Sequence, residues 1–90
     1  MVNIMITHTV ADYAKWRAGF DNHEPARKAA GATGIYRVYR DVENPNLITN
    51  LIEWNSADNA RKFAGDPALK EVMHAAGVIG APEIHFVNMA

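Results

Sequence analysis

Residues 34–54, GIYRVYRDVENPNLITNLIEW, predict a β-hairpin in the middle of the chain. Residues 34–42 and 47–54 are rich in β-branched and aromatic side chains, which favour strands. Residues 43–46, ENPN, have the composition of a turn, because Asn tolerates left-handed backbone and Pro fixes φ. Outward from this hairpin, each half of the chain adds one strand and one helical segment.

On the N-terminal side, residues 2–10 (VNIMITHTV) contain no Gly or Pro and predict strand one, and Asp12 is a candidate helix N-cap. Six side chains then recur at spacings of three and four, which places them on one helix face. Pro25 interrupts this pattern, so we expect a kink or a restart near His23 and Glu24, and an end at Gly31. The stripe consists of Tyr13, Trp16, Phe20, His23, Arg27 and Ala30.

On the C-terminal side, Ser56 is a candidate cap for the next helix, and Asp66-Pro67 predicts a restart. Gly77 ends this pair, and residues 82–89 (PEIHFVNM) predict strand four. With right-handed crossovers, the order strand, helix, strand, strand, helix pair, strand predicts an α+β ferredoxin-like fold, βαββαβ, with helices on one face of an antiparallel sheet. The inner side of the helix pair consists of Ala60, Phe63, Ala64, Leu69, Val72, Met73 and Ala76.

The predicted strands carry apolar residues on both faces, although a sheet with one wet face alternates between apolar and polar residues. In strand one, Met5 lies on the opposite face from Ile4 and Ile6. In strand three, Leu51 lies on the opposite face from Ile52. The helices cover one face only. A chain of 90 residues without cysteine lacks disulfides and has a small core, so a second subunit is the natural supplement. We therefore expect a homodimer.

Composition restricts the partners and the location. The chain has 9 Lys and Arg against 10 Asp and Glu, which argues against nucleic acid as a partner despite the aromatic and basic side chains of strand two. No segment approaches the roughly 20 apolar residues of a membrane helix, and the N-terminus lacks the pattern of a signal peptide. We expect one domain, residues 1–90, in the cytoplasm.

The chain resembles the dimeric α+β barrel superfamily, which includes the antibiotic-biosynthesis monooxygenase-like proteins. The resemblance rests on the strand-to-helix passage at residues 53–58 (EWNSAD), the helix from Phe63 to His74, the loop of residues 31–34 and the total length. It implies a dimeric α+β barrel with a ligand cleft between the sheet and the helices of each subunit. Activities in the superfamily include cofactor-free oxygenation of aromatic compounds, haem degradation, isomerisation and polyketide cyclisation.

The candidate catalytic residues are His8 and His23, since imidazole titrates near neutrality and serves as a general base. His8 follows Ile4 and Ile6 in the alternation of strand one, and His23 continues the helix stripe. The candidate substrate-binding residues are Trp16, Phe20, Arg27 and Tyr36. Two alternatives stay open. In the first, the stripe consists of three core aromatics followed by polar residues where the helix leaves the core. In the second, His8 is a residue at the edge of the strand that bonds to the main chain.

The sequence predicts no metal site and no cofactor. No two of the four histidines stand four residues apart or within one short loop. The haem-degrading relatives use an aromatic residue and a histidine on the helices after strand three. The matching positions here are Phe63 and Met73, and His74 is one residue out of register, a rotation of about 100° on a helix. This departure argues against haem.

Three functions remain open at this stage. The first is a cofactor-independent oxygenase or cyclase-type isomerase acting on an aromatic or polyketide-like compound. The second is a non-catalytic ligand-binding or stress-response dimer that uses the same cleft. The third is a structural dimer. Two titratable groups converging on a polar cleft would favour the first.

Overall fold

The computed structural model describes all 90 residues, which form a four-stranded antiparallel sheet and four helices. The strand order is β2-β3-β1-β4, and every neighbouring pair is antiparallel. This order confirms the predicted ferredoxin-like fold, and none of the helices is long and apolar enough to cross a membrane. In chain order the elements are β1 (Val2–Val10), α1 (Tyr13–Asn22), α2 (Glu24–Ala30), β2 (Ala32–Arg40), β3 (Leu47–Trp54), α3 (Ala57–Ala64), α4 (Pro67–Ala75) and β4 (Val78–Asn88).

The first helical segment restarts at the predicted place. The carboxylate of Asp12 caps α1 by accepting from the main-chain N–H of Ala14 at 2.9 Å. His23 separates α1 from α2, and Pro25 lies in the first turn of α2, where its missing N–H removes no helical hydrogen bond. The His23 N–H still bonds to the Gly19 carbonyl at 3.1 Å, so the side-chain stripe continues across the break.

Strands β2 and β4 differ from their predicted bounds. We predicted residues 34–42 and 82–89, whereas β2 is Ala32–Arg40 and β4 is Val78–Asn88. Both are edge strands with an irregularity in register, and each irregularity contains a glycine at positive φ, +96° at Gly34 and +72° at Gly80. Glycine at positive φ is frequent in turns, but both of these glycines lie within bulged strands.

The core fills the space between the sheet and the helices. Alternate residues of β1 and β3 face the helices and are buried, whereas the intervening residues face away. Full burial of such a side chain contributes about 1.5–3 kcal/mol. The core cluster consists of Ile4, Ile6, Val10, Trp16, Phe20, Ile48, Ile52, Trp54 and Ala60.

The residue that follows α2 packs closely against the residues that precede and begin α3. Gly31 has φ +124°, and a Cβ there would lie 2.8 Å from Oδ1 of Asn55. The Gly31 carbonyl accepts from the Asn55 N–H at 2.9 Å, and Ser56 caps α3 through the N–H of Asn59. Only glycine fits this position, because any other residue would be strained at this positive φ and its Cβ would clash with Asn55.

Candidate functional site

A cavity of about 50 Å³ lies between the sheet and the helices. It is lined by 14 residues, 9 of them hydrophobic, from β1, β3 and all four helices. Five of the six residues proposed from the sequence line it, namely His8, Trp16, Phe20, His23 and Arg27, whereas Tyr36 does not. An apolar pocket with a few polar groups is typical of a small-molecule site.

His8 lies on the buried face of β1, a central strand, and only 4% of its surface is exposed. Its ring meets Trp16 edge-on at a centroid distance of 5.3 Å. Burial lowers the pKa of His8 below its ordinary value of 6.5, against a smaller opposing effect of its own main chain. The imidazole is therefore neutral at pH 7, and its buried Nδ1 has no hydrogen-bond partner in the protein.

Aromatic rings form the wall on the α1 side. Trp16 stacks on Phe20 at a centroid distance of 5.1 Å. Tyr36, on β2, meets Phe20 edge-on at 5.3 Å and so supports the wall from behind. Gly19 lets α4 approach this wall, because a Cβ there would lie 3.2 Å from Cβ of Ala76.

Arg27 is buried rather than placed where the helix leaves the core, with 3% of its surface exposed. Its guanidinium lies 3.9 Å from the centroid of the Phe20 ring, and Nη1 donates to the Phe20 carbonyl at 2.6 Å. Nη2 is buried and has no partner in the protein. Burial lowers the pKa of Arg27, but a guanidinium stays protonated at pH 7.

His23 borders the same cavity from the junction of α1 and α2. It is half-buried, and its ring centroid lies 6.0 Å from that of Phe63 on α3. Burial lowers the pKa of His23, and the positive charge of Arg27 lowers it further. The break at Pro25 thus leaves both imidazoles at one cavity.

Sequence reasoning missed Asn50, a cavity residue on β3 with 2% of its surface exposed. Its Oδ1 is buried without a hydrogen-bond partner in the protein. The signal was available, because Asn50 interrupts the buried alternation of Ile48, Ile52 and Trp54 with a polar group. Nε1 of Trp54 also lacks a partner, and the Trp54 ring lies behind Phe63 at 4.8 Å.

The arrangement supplies a neutral base, a fixed cation and an amide in apolar surroundings. Such a site can accept a proton from a small molecule and stabilise the anion that forms. No group of three or more His, Asp or Glu side chains is gathered as a metal centre requires. His74 is exposed on α4, while its neighbour Met73 lines the cavity.

Comparison with known proteins shows a shared fold. No protein-family model matches the chain, and no curated protein matches it. Among solved structures, a proposed antibiotic biosynthesis monooxygenase from Bordetella bronchiseptica aligns with TM-score 0.81 and 20% identity over 99% of this chain and 96% of that one. SnoaB, a cofactor-independent oxygenase from Streptomyces nogalater, aligns with TM-score 0.71 and 16% identity over 99% and 94%. Rv0793 from Mycobacterium tuberculosis aligns with TM-score 0.68 and 12% identity over 99% and 94%.

Proposed function

The chain has the fold of the antibiotic biosynthesis monooxygenase-like proteins, and from that premise we propose that it is a small-molecule enzyme whose cavity uses His8 as a general base. The substrate is a phenol or an enolisable carbonyl compound of the aromatic or polyketide type. One observation carries the proposal: His8, Arg27 and Asn50 each have a buried polar atom without a partner, and all three line a single, predominantly apolar cavity. Each such atom costs about 1–3 kcal/mol unless something binds it.

The proposed chemistry begins with proton transfer to His8. A neutral imidazole takes the proton of an acidic O–H or C–H, which contributes typically 10²–10⁴-fold to a rate. The phenolate or enolate that remains is stabilised by the charge of Arg27, while Oδ1 of Asn50 accepts from a neutral O–H group of the substrate. In an isomerase or cyclase, this anion is reprotonated or closes a ring. In an oxygenase, it reacts with O₂ as the co-substrate; SnoaB, which shares the fold, is a cofactor-independent oxygenase.

The cavity is small for an aromatic substrate. Its volume of about 50 Å³ compares with about 150 Å³ for an apolar protein cavity that binds benzene. Leu69 is the one buried residue of α4, while Val72 and Met73 are half-buried at the cavity. Because Met is flexible and α4 is held by few buried groups, we expect α4 to move aside as substrate enters.

A substrate screen tests this function. Phenols, naphthols and 1,3-diketones are incubated with the protein, with oxygen consumption and deuterium exchange of the acidic C–H as readouts. His8→Gln should reduce the rate at least about 10²-fold, because the base is lost. The control His74→Gln should leave it unchanged, since His74 is exposed on α4. Equal activity of both variants would contradict the assignment of His8, and binding without turnover would favour a non-catalytic ligand-binding protein.

The proposed enzyme works as a cytoplasmic homodimer. The face of the sheet turned away from the helices carries Met5, Leu47, Leu51 and Val87, all half-buried in the single chain. Tyr39, paired with Thr49, adds an exposed ring to the same face. A second copy packed on this face would cover these side chains, and the cavity would remain inside each subunit on the opposite side.

A further inference from the structure

Arg27 is a buried cation without an anionic partner. Two acidic residues near it in the sequence, one on α1 and one on α2, bind other cations: Asp21 accepts from Arg17 at 3.0 Å, and Glu24 lies 3.3 Å from Lys28. No acidic residue is among the 14 that line the cavity. A buried charge normally has a partner, because removal from water costs several kcal/mol.

Contacts within the protein satisfy only some of the hydrogen-bond donors of the Arg27 guanidinium. Nη1 bonds to the Phe20 carbonyl near the end of α1, and one face of the group lies over the Phe20 ring. These contacts hold the side chain in place as a C-terminal cap of α1. They leave Nη2 without a partner, although it is fully buried.

We propose that the cavity binds a small carboxylate, with one carboxylate oxygen accepting from Nη2 of Arg27. This inference rests on the proposed function and extends it: the substrate carries a carboxylate in addition to its acidic proton. Hydrogen bonds between a guanidinium and a carboxylate are about twice as strong as those between neutral groups. The remaining unpartnered atoms are Nδ1 of His8 and Oδ1 of Asn50, and Oδ1 accepts from a neutral O–H or N–H group elsewhere on a larger ligand.

The size of the cavity agrees with this ligand class. One water needs about 10–15 Å³ of such volume, so about 50 Å³ accommodates three or four non-hydrogen atoms, the size of a carboxylate and its α-carbon. Beyond the polar atoms the lining is apolar, with Ile52, Phe63 and Leu69. The site as it stands therefore fits acetate, and a larger acid requires the movement of α4.

Acetate and its neutral isostere acetamide test the proposal on the native protein. Each is titrated into ¹⁵N-labelled protein at constant ionic strength, and amide chemical shifts are followed. We expect acetate to bind with a dissociation constant in the millimolar range, about tenfold or more tighter than acetamide, with shifts centred on Phe20, Arg27 and Asn50. Equal binding of both probes, no binding of either, or acetate shifts centred on surface cations such as Lys62 would overturn the proposal.

Two matched variants add a second readout. Arg27→Gln replaces the charged group by a neutral, shorter side chain with an amide N–H donor, whereas Arg61→Gln removes the same charge from an exposed position on α3. Acetate affinity should fall about tenfold or more in Arg27→Gln and stay unchanged in Arg61→Gln. Equal loss in both would also overturn the proposal. If Arg27→Gln does not fold, the comparison of acetate with acetamide decides.

These results are separable from those of the proposed function. Turnover of a neutral phenol without acetate binding would support His8 as the base and would reject the proposed carboxylate site. Acetate binding without any turnover would support the anion site and reject the enzyme.

Discussion

Burial of the His8 imidazole makes the stability of the fold depend on pH. The pKa of His8 is below 6.5 in the folded chain, and burial lowers that of the half-buried His23 as well. Above pH 6.5 both states of the chain carry neutral histidine, so no penalty arises. Below it, the unfolded chain binds a proton that the folded chain excludes, and stability decreases until pH reaches the lowered pKa of the folded state.

We therefore predict that His8→Gln flattens the pH dependence of thermal stability. Between about pH 7.5 and about pH 5.5, Tm of the wild type should fall, and Tm of the variant should fall less. The exposed His74→Gln provides the control and should keep the wild-type slope. An identical slope in His8→Gln and wild type would show that protonation of His8 is not coupled to unfolding.

Sequence patterns predicted the faces of these residues better than their depth. Alternation in β1 places His8 with Ile4 and Ile6, and the burial of all three agrees with it. Periodicity alone did not show that Arg27 lies within the core, because helical spacing gives a direction and not a depth. Nor does it show which polar atoms lack partners, since that depends on every neighbouring side chain.

At the scale of elements, the junction of α1 and α2 shapes one side of the cavity. An uninterrupted helix would need an N–H at residue 25 to bond to the Asp21 carbonyl, and Pro25 has none. The chain instead restarts, with Pro25 in the first turn of α2, where its fixed φ suits the helix. His23 and Arg27, on either side of Pro25, both reach the cavity.

Pro25→Ala should accordingly destabilise the protein by about 0.4–1 kcal/mol, because alanine gives the unfolded chain more freedom. Urea unfolding measures the change in the free energy of unfolding. Pro45→Ala, in the exposed β2–β3 turn, is the control, because it gives the unfolded chain the same extra freedom without affecting a helix. A proline that merely kinked a continuous helix would give the opposite sign, with a gain of up to about 3 kcal/mol for alanine. A clear stabilisation would thus refute the restart.

The bulged edge strands mark the limit of prediction at this scale. The strand order follows from element order and handedness, and it was predictable. The irregularity between Thr7 and Thr9 in the pairing with β4 was not, because Gly80, Ala81 and Pro82 have the composition of a turn. Composition does not distinguish a turn that ends a strand from a bulge that bends it. This bulge lies beside His8, where it interrupts the pairing of β1 with β4.

At the scale of the whole molecule, the sheet separates two surfaces. Its helix-facing side holds the core and the cavity, and its other side carries half-buried apolar groups around Met5 and Leu51. These two residues are paired across the central strands β1 and β3. A second copy covering this face, as proposed above, would stabilise so small a domain and would leave the cavity free to bind a ligand.

The dimer is tested by placing a charge at the centre of this face. Wild type should sediment at micromolar concentration with twice the chain mass of 9.9 kDa. Leu51→Lys should sediment as a monomer that remains folded, because the lysine reaches water in the single chain but buries an unpaired charge in the dimer. Ala29→Lys, exposed on α2, adds the same charge on the helical side and should leave the dimer intact. A monomeric wild type, or a dimeric Leu51→Lys, would mean that these apolar side chains do not form the interface.

The acetate titration repeated on monomeric Leu51→Lys then tells whether the cavity needs the second subunit. Because every lining residue belongs to one chain, we expect binding to persist.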